Sequence, residues 1–294
     1  VAVQPPRPRL PPLGALRAFE AAARTGGFAR AGAELNLSAA AIAQQVKLLE
    51  AWLGCPLFIR LAHGLRLTER GQAALPPLIA AFDALGNAVR GLTSAARPGQ
   101  LAIAALPAIA TLWLAPRLAA IRAAFPDITV SITAMEAPPN LYREPYDLAL
   151  FRIADADPVQ GAIRLQPDRI TPVCSPAIAP DVGEAAESWL RRQTLLHDSV
   201  WQTDWPDWLR VAGLDDIAPG DGPRFSLYGL AVQAAQQGAG VLIGHQALVA
   251  PALARGELIA PFARYAETGF SLAVMLPKQP TPQAARLADW CAAG

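Results

Sequence analysis

The chain has 294 residues, of which 53% are apolar and 17% charged; this length predicts two or three compact units, and the composition excludes wholesale disorder. Net charge is only +1, but residues 1–72 carry nine Lys/Arg against four Asp/Glu, while the remainder carries sixteen against twenty. A basic head on a mildly acidic body fits a protein whose front end alone meets phosphates.

Residues 1–12 hold Arg7, Arg9 and five prolines. They lack the apolar stretch of a signal peptide, read as a loose arm, and predict a cytoplasmic chain. No apolar run reaches membrane-spanning length without an interrupting Arg, Pro or Asp. Leu13, Leu16, Phe19 and Ala23 mark one face of a first helix, stopped at Gly26-Gly27. A short second helix runs from Phe28 to Leu35. After the turn Asn36-Leu37-Ser38, Ser38 is placed to cap a third helix. There Ile42, Val46, Leu49 and Leu53 share an arc, and Ala40, Gln44, Lys47 and Ala51 lie opposite. Gly54 ends that helix. Leu57-Phe58-Ile59 and Leu65-Arg66-Leu67 then read as two strands around a His63-Gly64 turn. Two short helices, a tight turn and a third helix with small and polar residues outward fit a helix-turn-helix with a wing. The same pattern also fits the end of a helical bundle with solvated polar residues.

Several motifs in order over about sixty residues settle that choice. Leu13-Gly14-Ala15-Leu16-Arg17-Ala18-Phe19-Glu20-Ala21-Ala22-Ala23-Arg24 resembles the opening of LysR-type regulators. So do Gln44-Gln45-Val46-Lys47-Leu48-Leu49-Glu50, Pro56-Leu57-Phe58-Ile59-Arg60 and Gly64-Leu65-Arg66-Leu67-Thr68-Glu69-Arg70-Gly71. The resemblance implies that Arg30 contacts phosphate. It makes residues 38–47, with Ser38, Ala39, Ala40, Ala43, Gln44, Gln45 and Lys47, the base-reading face of double-stranded DNA. Arg60, His63 and Arg66 would set the wing on the backbone and near the minor groove. Three positions depart from the family pattern. Ala39 replaces Gln, Ala43 replaces Ser, and His63 replaces Arg or Lys. A good bidentate base contact contributes about 1–3 kcal/mol of discrimination, so specificity is expected to lean on Gln44, Gln45 and DNA shape.

From Thr68 to about Leu92 a long helix carries Leu75, Leu78, Phe82, Leu85, Val89 and Leu92 at alternating spacings of three and four, a heptad seam. By pattern alone this fits either a dimer contact or a short intramolecular face; the resemblance implies paired linker helices in a homodimer or homotetramer. Pro76 predicts a bend, and residues 93–99 read as a hinge.

Beyond the hinge, Leu101–Leu106, Ile128–Ile132, Asp147–Phe151, Ile170–Cys174 and Val241–Ile243 read as strands. They alternate with helices around Leu114–Phe125 and Ala231–Gln237. Strands alternating with helices predict an α/β fold of parallel βαβ units with a ligand beyond the carboxyl ends of the strands. Pro172-Val173-Cys174-Ser175-Pro176, Thr194-Leu195-Leu196-His197-Asp198, Gly222-Pro223-Arg224-Phe225-Ser226 and Gln233-Ala234-Ala235 resemble the effector domain of the LysR branch that includes the glycine-cleavage and β-lactamase regulators. That resemblance implies a two-lobed domain like the periplasmic binding proteins. Its lobes would span about residues 99–163 with 266–294, and about 164–265. The expected division is a winged helix-turn-helix at 1–67, a linker at 68–98 and an effector domain at 99–294. An anionic or amino-acid-like effector would lie between the lobes, and RNA polymerase is an expected partner. Candidate pocket residues are Leu106, Pro107, Ala108, Arg152, Ser226 and Tyr228, with His197 and Trp201 nearby. Ala108 stands where relatives carry a hydroxyl, leaving backbone N–H groups as donors. Phe151 stands where the branch has Arg, so Arg152 is expected to face another way.

No cofactor, metal or catalytic role is expected. The cysteines Cys55, Cys174 and Cys291 and the histidines His63, His197 and His245 have no ligand spacing. His197-Asp198 lacks a nucleophile motif. Gly238-Ala239-Gly240 precedes a strand rather than following one and fails the dinucleotide fingerprint. Trp201, Trp205 and Trp208 read as one helical face. A solute-binding receptor and a small-molecule enzyme remain as alternatives. The basic head counts against the first, and no residue constellation favours the second.

Overall fold

In a computed structural model, residues 10–61, 64–96, 99–159, 161–220 and 222–293 are described. The chain divides into two compact units, Val1–Val89 and Arg90–Gly294.

The first unit packs α1 (Leu13–Thr25), α2 (Phe28–Leu35) and α3 (Ala39–Leu53) around Phe19, Ile42, Val46, Leu49 and Leu57. α1 buries Ala15, Ala18, Phe19 and Ala22, not the expected stripe: Leu13 is 53% exposed. Small alanines let neighbouring helices approach closely, and Leu13 in the first turn lies off their face. Leu53, at the last residue of α3, is likewise exposed. Between α2 and α3 the turn is tight. Asn36 adopts the left-handed conformation at φ 55°, which Asn tolerates better than most residues. A side chain on Gly32 would place its Cβ 2.5 Å from the carbonyl oxygen of Leu37, so only glycine fits. Strands β1 (Phe58–Leu61) and β2 (Gly64–Leu67) pair antiparallel, with Ile59 opposite Arg66. Glu50 fixes the entry to this hairpin. Its carboxylate accepts the N–H groups of Leu57 at 2.7 Å and Phe58 at 3.2 Å.

Helix α4 (Glu69–Ala96) begins where the Thr68 hydroxyl accepts the Gly71 N–H at 3.1 Å, and it continues through Pro76 and Pro77. The expected hinge is thus helical over 93–96, and residues 97–98 lie outside the described residues. Along the expected seam Phe82 is half-buried, while Leu85 and Val89 are exposed. No helix among the described residues is long and apolar enough to cross a membrane.

The second unit is built from β3 (Gln100–Ala105), a π-helical turn (Ile109–Leu114) leading to α5 (Leu118–Ala124), β4 (Thr129–Ala134), β5 (Leu148–Ala154) and β6 (Ala162–Val173). It continues with α6 (Ala186–Leu190), β7 (Leu195–Asp198), α7 (Asp204–Ala212), β8 (Arg224–Phe225), α8 (Tyr228–Gln236), β9 (Val241–His245), α9 (Gln246–Ala254), β10 (Ala266–Met275) and α10 (Pro282–Ala293). Eight strands run in the order β4-β3-β5-β10-β6-β9-β7-β8. The sheet is mixed where all-parallel units were expected. β3 pairs parallel with β4 and β5, and β7 with β8 and β9, but β6 and β10 run antiparallel to their neighbours. Those two long strands join the half-sheets. The lower part of β6 pairs only with β10, whereas Ile170–Val173 pair with β9. The β10–β6 register breaks between Glu267 and Ser271, where Gly269 takes φ +73°.

Leu101, Ile103, Leu114, Ile121, Leu150 and Leu242 lie in the main core, and a second cluster surrounds Trp205, Trp208 and Ile243. Trp201 does not share the helical face expected of it, because α7 starts only at Asp204. Cys174 and Cys291 are buried and Cys55 half-buried; burial pushes the two buried thiols up to about 11, so they stay protonated and unreactive.

Candidate functional site

α3 presents two unlike faces because its apolar residues recur at helical spacing. Ile42, Val46 and Leu49 are buried, and Ser38, Ala39, Ala40, Gln44 and Lys47 are exposed on the outer side. The Ser38 hydroxyl oxygen accepts the Ala41 N–H at 3.1 Å, so that lone pair serves the helix cap. Ala43 and Gln45 are half-buried. A methyl added at Gly14 would lie 3.6 Å from the Gln45 side-chain oxygen, which places that amide against α1 rather than outward. Arg30 and Arg66 are exposed. The side chain of Arg60 and all of His63 lie outside the described residues.

The second unit gathers charge inside. Arg152 on β5 and Phe151 point to opposite faces of the sheet, as alternation along a strand requires. Phe151 packs with Ala104, Leu141 and Ala149. Arg152 Nη2 lies 2.8 Å from Asp168 Oδ2 on β6. The guanidinium is flanked by the rings of Trp201 at 4.8 Å and Phe270 at 4.7 Å, a cation–π arrangement. His245, at the end of β9, is held between two carboxylates. Its Nδ1 lies 2.9 Å from Asp168 Oδ2, and its Nε2 lies 3.0 Å from Asp204 Oδ2 at the start of α7. The Thr268 hydroxyl lies 3.1 Å from the same Asp168 oxygen. Tyr228 donates to the carbonyl of Ile243 at 2.9 Å and accepts the His245 backbone N–H at 3.0 Å. Trp201 stacks 4.1 Å from the imidazole and 4.8 Å from the Tyr228 ring. Asp198 holds the Trp201 loop by accepting the N–H groups of Val200 at 2.7 Å and Trp201 at 2.9 Å.

Burial opposes charge on His245, but Asp168 and Asp204 outweigh it and hold the imidazole above its ordinary value. Burial likewise opposes charge on Asp168. His245, Arg152 and Thr268 outweigh it and hold that carboxyl below its ordinary range. Burial pushes the Tyr228 hydroxyl well up, so it stays protonated. Both ring nitrogens of His245 face carboxylates, so the imidazole offers no lone pair to activate a nucleophile.

Beside this cluster, Tyr228 also lines a cavity of about 500 Å³ between the segment after β3 and helices α8 and α9. Pro107, Ala108, Thr111, Leu112 and Leu230 contribute its apolar wall, and Arg255 and Glu257 its charged rim. The π-helical turn at Ile109–Leu114 supplies Thr111 and Leu112 of this wall; such turns are frequent at functional sites. Of the N–H groups near Ala108, that of Ala110 already donates to the carbonyl of Leu106 at 2.8 Å.

The expected pocket residues therefore separate. Pro107, Ala108 and Tyr228 share the cavity, while Arg152, Trp201 and Tyr228 share the ionic cluster. Leu106 is half-buried and absent from the cavity wall, His197 is buried on β7, and Ser226 is exposed just before α8. Sequence reasoning missed Asp168, Asp204, His245, Thr268 and Phe270. A carboxylate or imidazole closing an apolar run, as in Val241-Leu242-Ile243-Gly244-His245, was the available signal. Among the described residues no group of His, Cys, Asp or Glu is arranged to hold a metal ion.

Residues 13–72 match the family of bacterial regulatory helix-turn-helix proteins of the lysR type, and residues 94–294 match the LysR substrate binding domain. The chain belongs to the LysR family of transcription regulators. This LysR-type regulator is 37% identical to the glycine cleavage system transcriptional activator of Escherichia coli (strain K12) over 257 residues, covering 86% of this chain and 83% of that protein. It is 35% identical to the transcriptional activator AmpR of Pseudomonas aeruginosa over 264 residues, covering 90% of this chain and 88% of that protein. The solved effector domain of AmpR from Pseudomonas aeruginosa superposes with a TM-score of 0.54 at 26% identity, covering 66% of this chain and 94% of that one. A LysR-type regulator binds DNA and a small-molecule effector and is not an enzyme. Its two parts here are the helix-turn-helix around α3 and the mixed α/β effector domain.

Proposed function

We propose that the outer side of α3 enters the major groove of a pseudo-palindromic promoter site, with two heads set apart by paired α4 helices. The observation that carries this reading is the strip Ala40, Gln44 and Lys47, exposed opposite the buried Ile42, Val46 and Leu49. Arg30, Arg60, His63 and Arg66 supply phosphate contacts, while Ser38, Ala39, Ala43 and Gln45 complete the edge of the reading face. The test is a gel shift of the full chain on its own upstream region over a salt series. Affinity should fall steeply with added salt, and Arg30→Ala should weaken every sequence alike. No shift at low salt, with or without metabolites, would overturn the reading.

The effector domain then divides into lobes of about residues 99–163 with 266–294, and about 164–265, following a DNA-binding part at 1–67 and a linker at 68–98. We propose a small anionic or amino-acid-like effector between the lobes, beside Pro107, Ala108 and Tyr228, with Arg152 and Trp201 close by through Tyr228; Leu106, His197 and Ser226 lie off this cavity. Support comes from Arg152, whose buried Nε has no hydrogen-bond partner among the described residues and would gain one from a ligand carboxylate. An effector that binds one lobe arrangement better shifts the population toward it and respaces the heads in a homodimer or homotetramer. RNA polymerase reads that change in the cytoplasm. A thermal-shift screen of amino acids and small organic acids tests the effector class: a stabilising ligand should lose its effect in Arg152→Met. An unaltered response in that variant would move the site elsewhere.

A further inference from the structure

His245 is held in a way that only its charged ring can satisfy. Nδ1 lies 3.0 and 2.9 Å from the two oxygens of Asp168, and Nε2 lies 3.0 Å from Asp204 Oδ2. Both partners are buried carboxylates, and an ionised carboxylate only accepts. A neutral imidazole has one N–H and one lone pair, so one carboxylate would then meet a lone pair at hydrogen-bond distance. The two sides are held unequally. Nδ1 reaches both oxygens of Asp168, whose side chain is 5% exposed and also meets Arg152 Nη2 at 2.8 Å and the Thr268 hydroxyl at 3.1 Å. Nε2 reaches one oxygen of Asp204, whose side chain is 11% exposed. Among the described residues the imidazole is the one side-chain partner of Asp204. As the first residue of α7, Asp204 also stands at a helix N-terminus, where a carboxylate's charge is favoured without the imidazole. The Nε2 proton is therefore the one that leaves first.

That proton has a structural reach. Trp201 stacks 4.1 Å from the imidazole and 4.8 Å from the Tyr228 ring, and its carbonyl accepts the Asp204 N–H at 3.3 Å. Tyr228 in turn forms part of the cavity wall. We propose that His245 is a proton-operated switch of the effector domain: with its Nε2 proton bound it ties the first residue of α7 to β9, and with that proton gone the corner from Trp201 to Asp204 is released beside the Tyr228 wall. The elements packed against the ring bring Asp168 from β6, Asp204 from α7, Asp198 from β7 and Tyr228 from α8, with Arg152 of β5 behind Asp168. Helix α9, which follows the imidazole in the chain, carries no charged residue. Burial opposes charge on the ring, and Asp168 and Asp204 outweigh it, so release comes on the alkaline side of 6.5. The switch stands on this cluster alone; its bearing on the effector rests on the cavity reading above.

The test uses nuclear magnetic resonance of the full-length protein with 15N-labelled histidine. Three histidines give few signals, and His245→Gln assigns the one of interest; where H245Q does not fold, His63→Gln and His197→Gln assign it by exclusion. At about pH 7 both ring nitrogens of His245 should carry protons, and as pH rises Nε2 should lose its proton while Nδ1 keeps its own. Across the same step, hydrogen exchange corrected for the pH dependence of free amides should show residues 199–208 losing protection about tenfold, the size of one hydrogen bond to a charged group. Residues 227–232 should follow, and β3 should not change. In Asp204→Asn the proton step should move to lower pH, and exchange at 199–208 should no longer follow it, because an amide can turn to meet either form of the ring. A His245 ring that is neutral at about pH 7, a proton lost from Nδ1 instead, or unchanged protection at 199–208 would each overturn the switch. Loss at 199–208 without loss at 227–232 overturns its bearing on the cavity. A screen in which no amino acid or organic acid binds overturns the cavity reading instead and leaves these signals as they are.

Discussion

In the first unit the amide and the ammonium that matter stand outward along one strip of α3. In the second, the guanidinium of Arg152, the imidazole of His245 and the carboxylates of Asp168 and Asp204 turn inward across β5, β6, β9 and α7. The two placements carry opposite energetics. Outward groups keep their hydration, and changing one has little effect on folding. Inward groups have lost theirs, and each is tolerable only while every partner is present. A substitution on the outer strip of α3 is therefore expected to leave the fold intact, whereas one in the cluster is expected to strand its partners.

The sharpest way to break this contrast is Asp168→Asn. It strips Arg152 and His245 of their shared partner, and we expect a loss of about 3–5 kcal/mol in the sensor unit. Six of the seven tryptophans, all but Trp52, lie in that unit, so denaturant unfolding followed by tryptophan emission isolates it. A loss below about 1 kcal/mol would show that the cluster is hydrated.

The same cluster should set a pH window. Because the His245 value is raised, its stabilisation is complete below the ordinary imidazole value of 6.5 and disappears as pH climbs through the raised one. Because the Asp168 value is lowered, its share is complete above 3.8 and is lost as pH falls through the depressed value. The groups facing the imidazole are Asp168 and Asp204, with Arg152, Asp198 and Tyr228 behind them. Thermal stability of the sensor should be greatest between those limits and should decline on the alkaline side. In Asp204→Asn that decline should begin at lower pH; an unchanged profile would exclude His245 as its source.

Smaller effects belong to the head. Gly32→Ala forces a Cβ against the Leu37 carbonyl at 2.5 Å. It should cost about 1–3 kcal/mol and weaken DNA binding, with the sensor transition unchanged. Smallest is Ser38→Ala, which removes the cap on α3 at about 1 kcal/mol; circular dichroism melting of the first unit measures it. A drop in the sensor transition with either substitution would contradict the separation of the two units.

The head was largely legible because its determinants are local. Ser38 caps α3 three residues away, Gly54 ends it, and the order of its motifs is fixed within sixty residues. Misreadings there were of facing: Leu13 and Leu53 lie at helix ends, where the apolar period continues but no neighbour covers it. The sensor's strands were legible as apolar runs, but their directions were not, since β6 and β10 pair over about a hundred residues. Its ionic cluster was invisible for the same reason. Arg152, Asp168, Asp204 and His245 come from four separate elements, and nothing in their spacing announces that they meet. Arg152 was singled out as a candidate pocket residue, but its carboxylate partner was not. The structure pairs its Nη2 with Asp168 and leaves the buried Nε without a hydrogen-bond partner among the described residues.

The strands β6 and β10 have one further consequence. The register break around Gly269 bends β10 and adds local twist where the two half-sheets are joined. The interruption leaves Thr268, Gly269 and Phe270 outside the β10–β6 ladder, two of them beside the ionic cluster: the Thr268 hydroxyl lies on Asp168 and the Phe270 ring on Arg152.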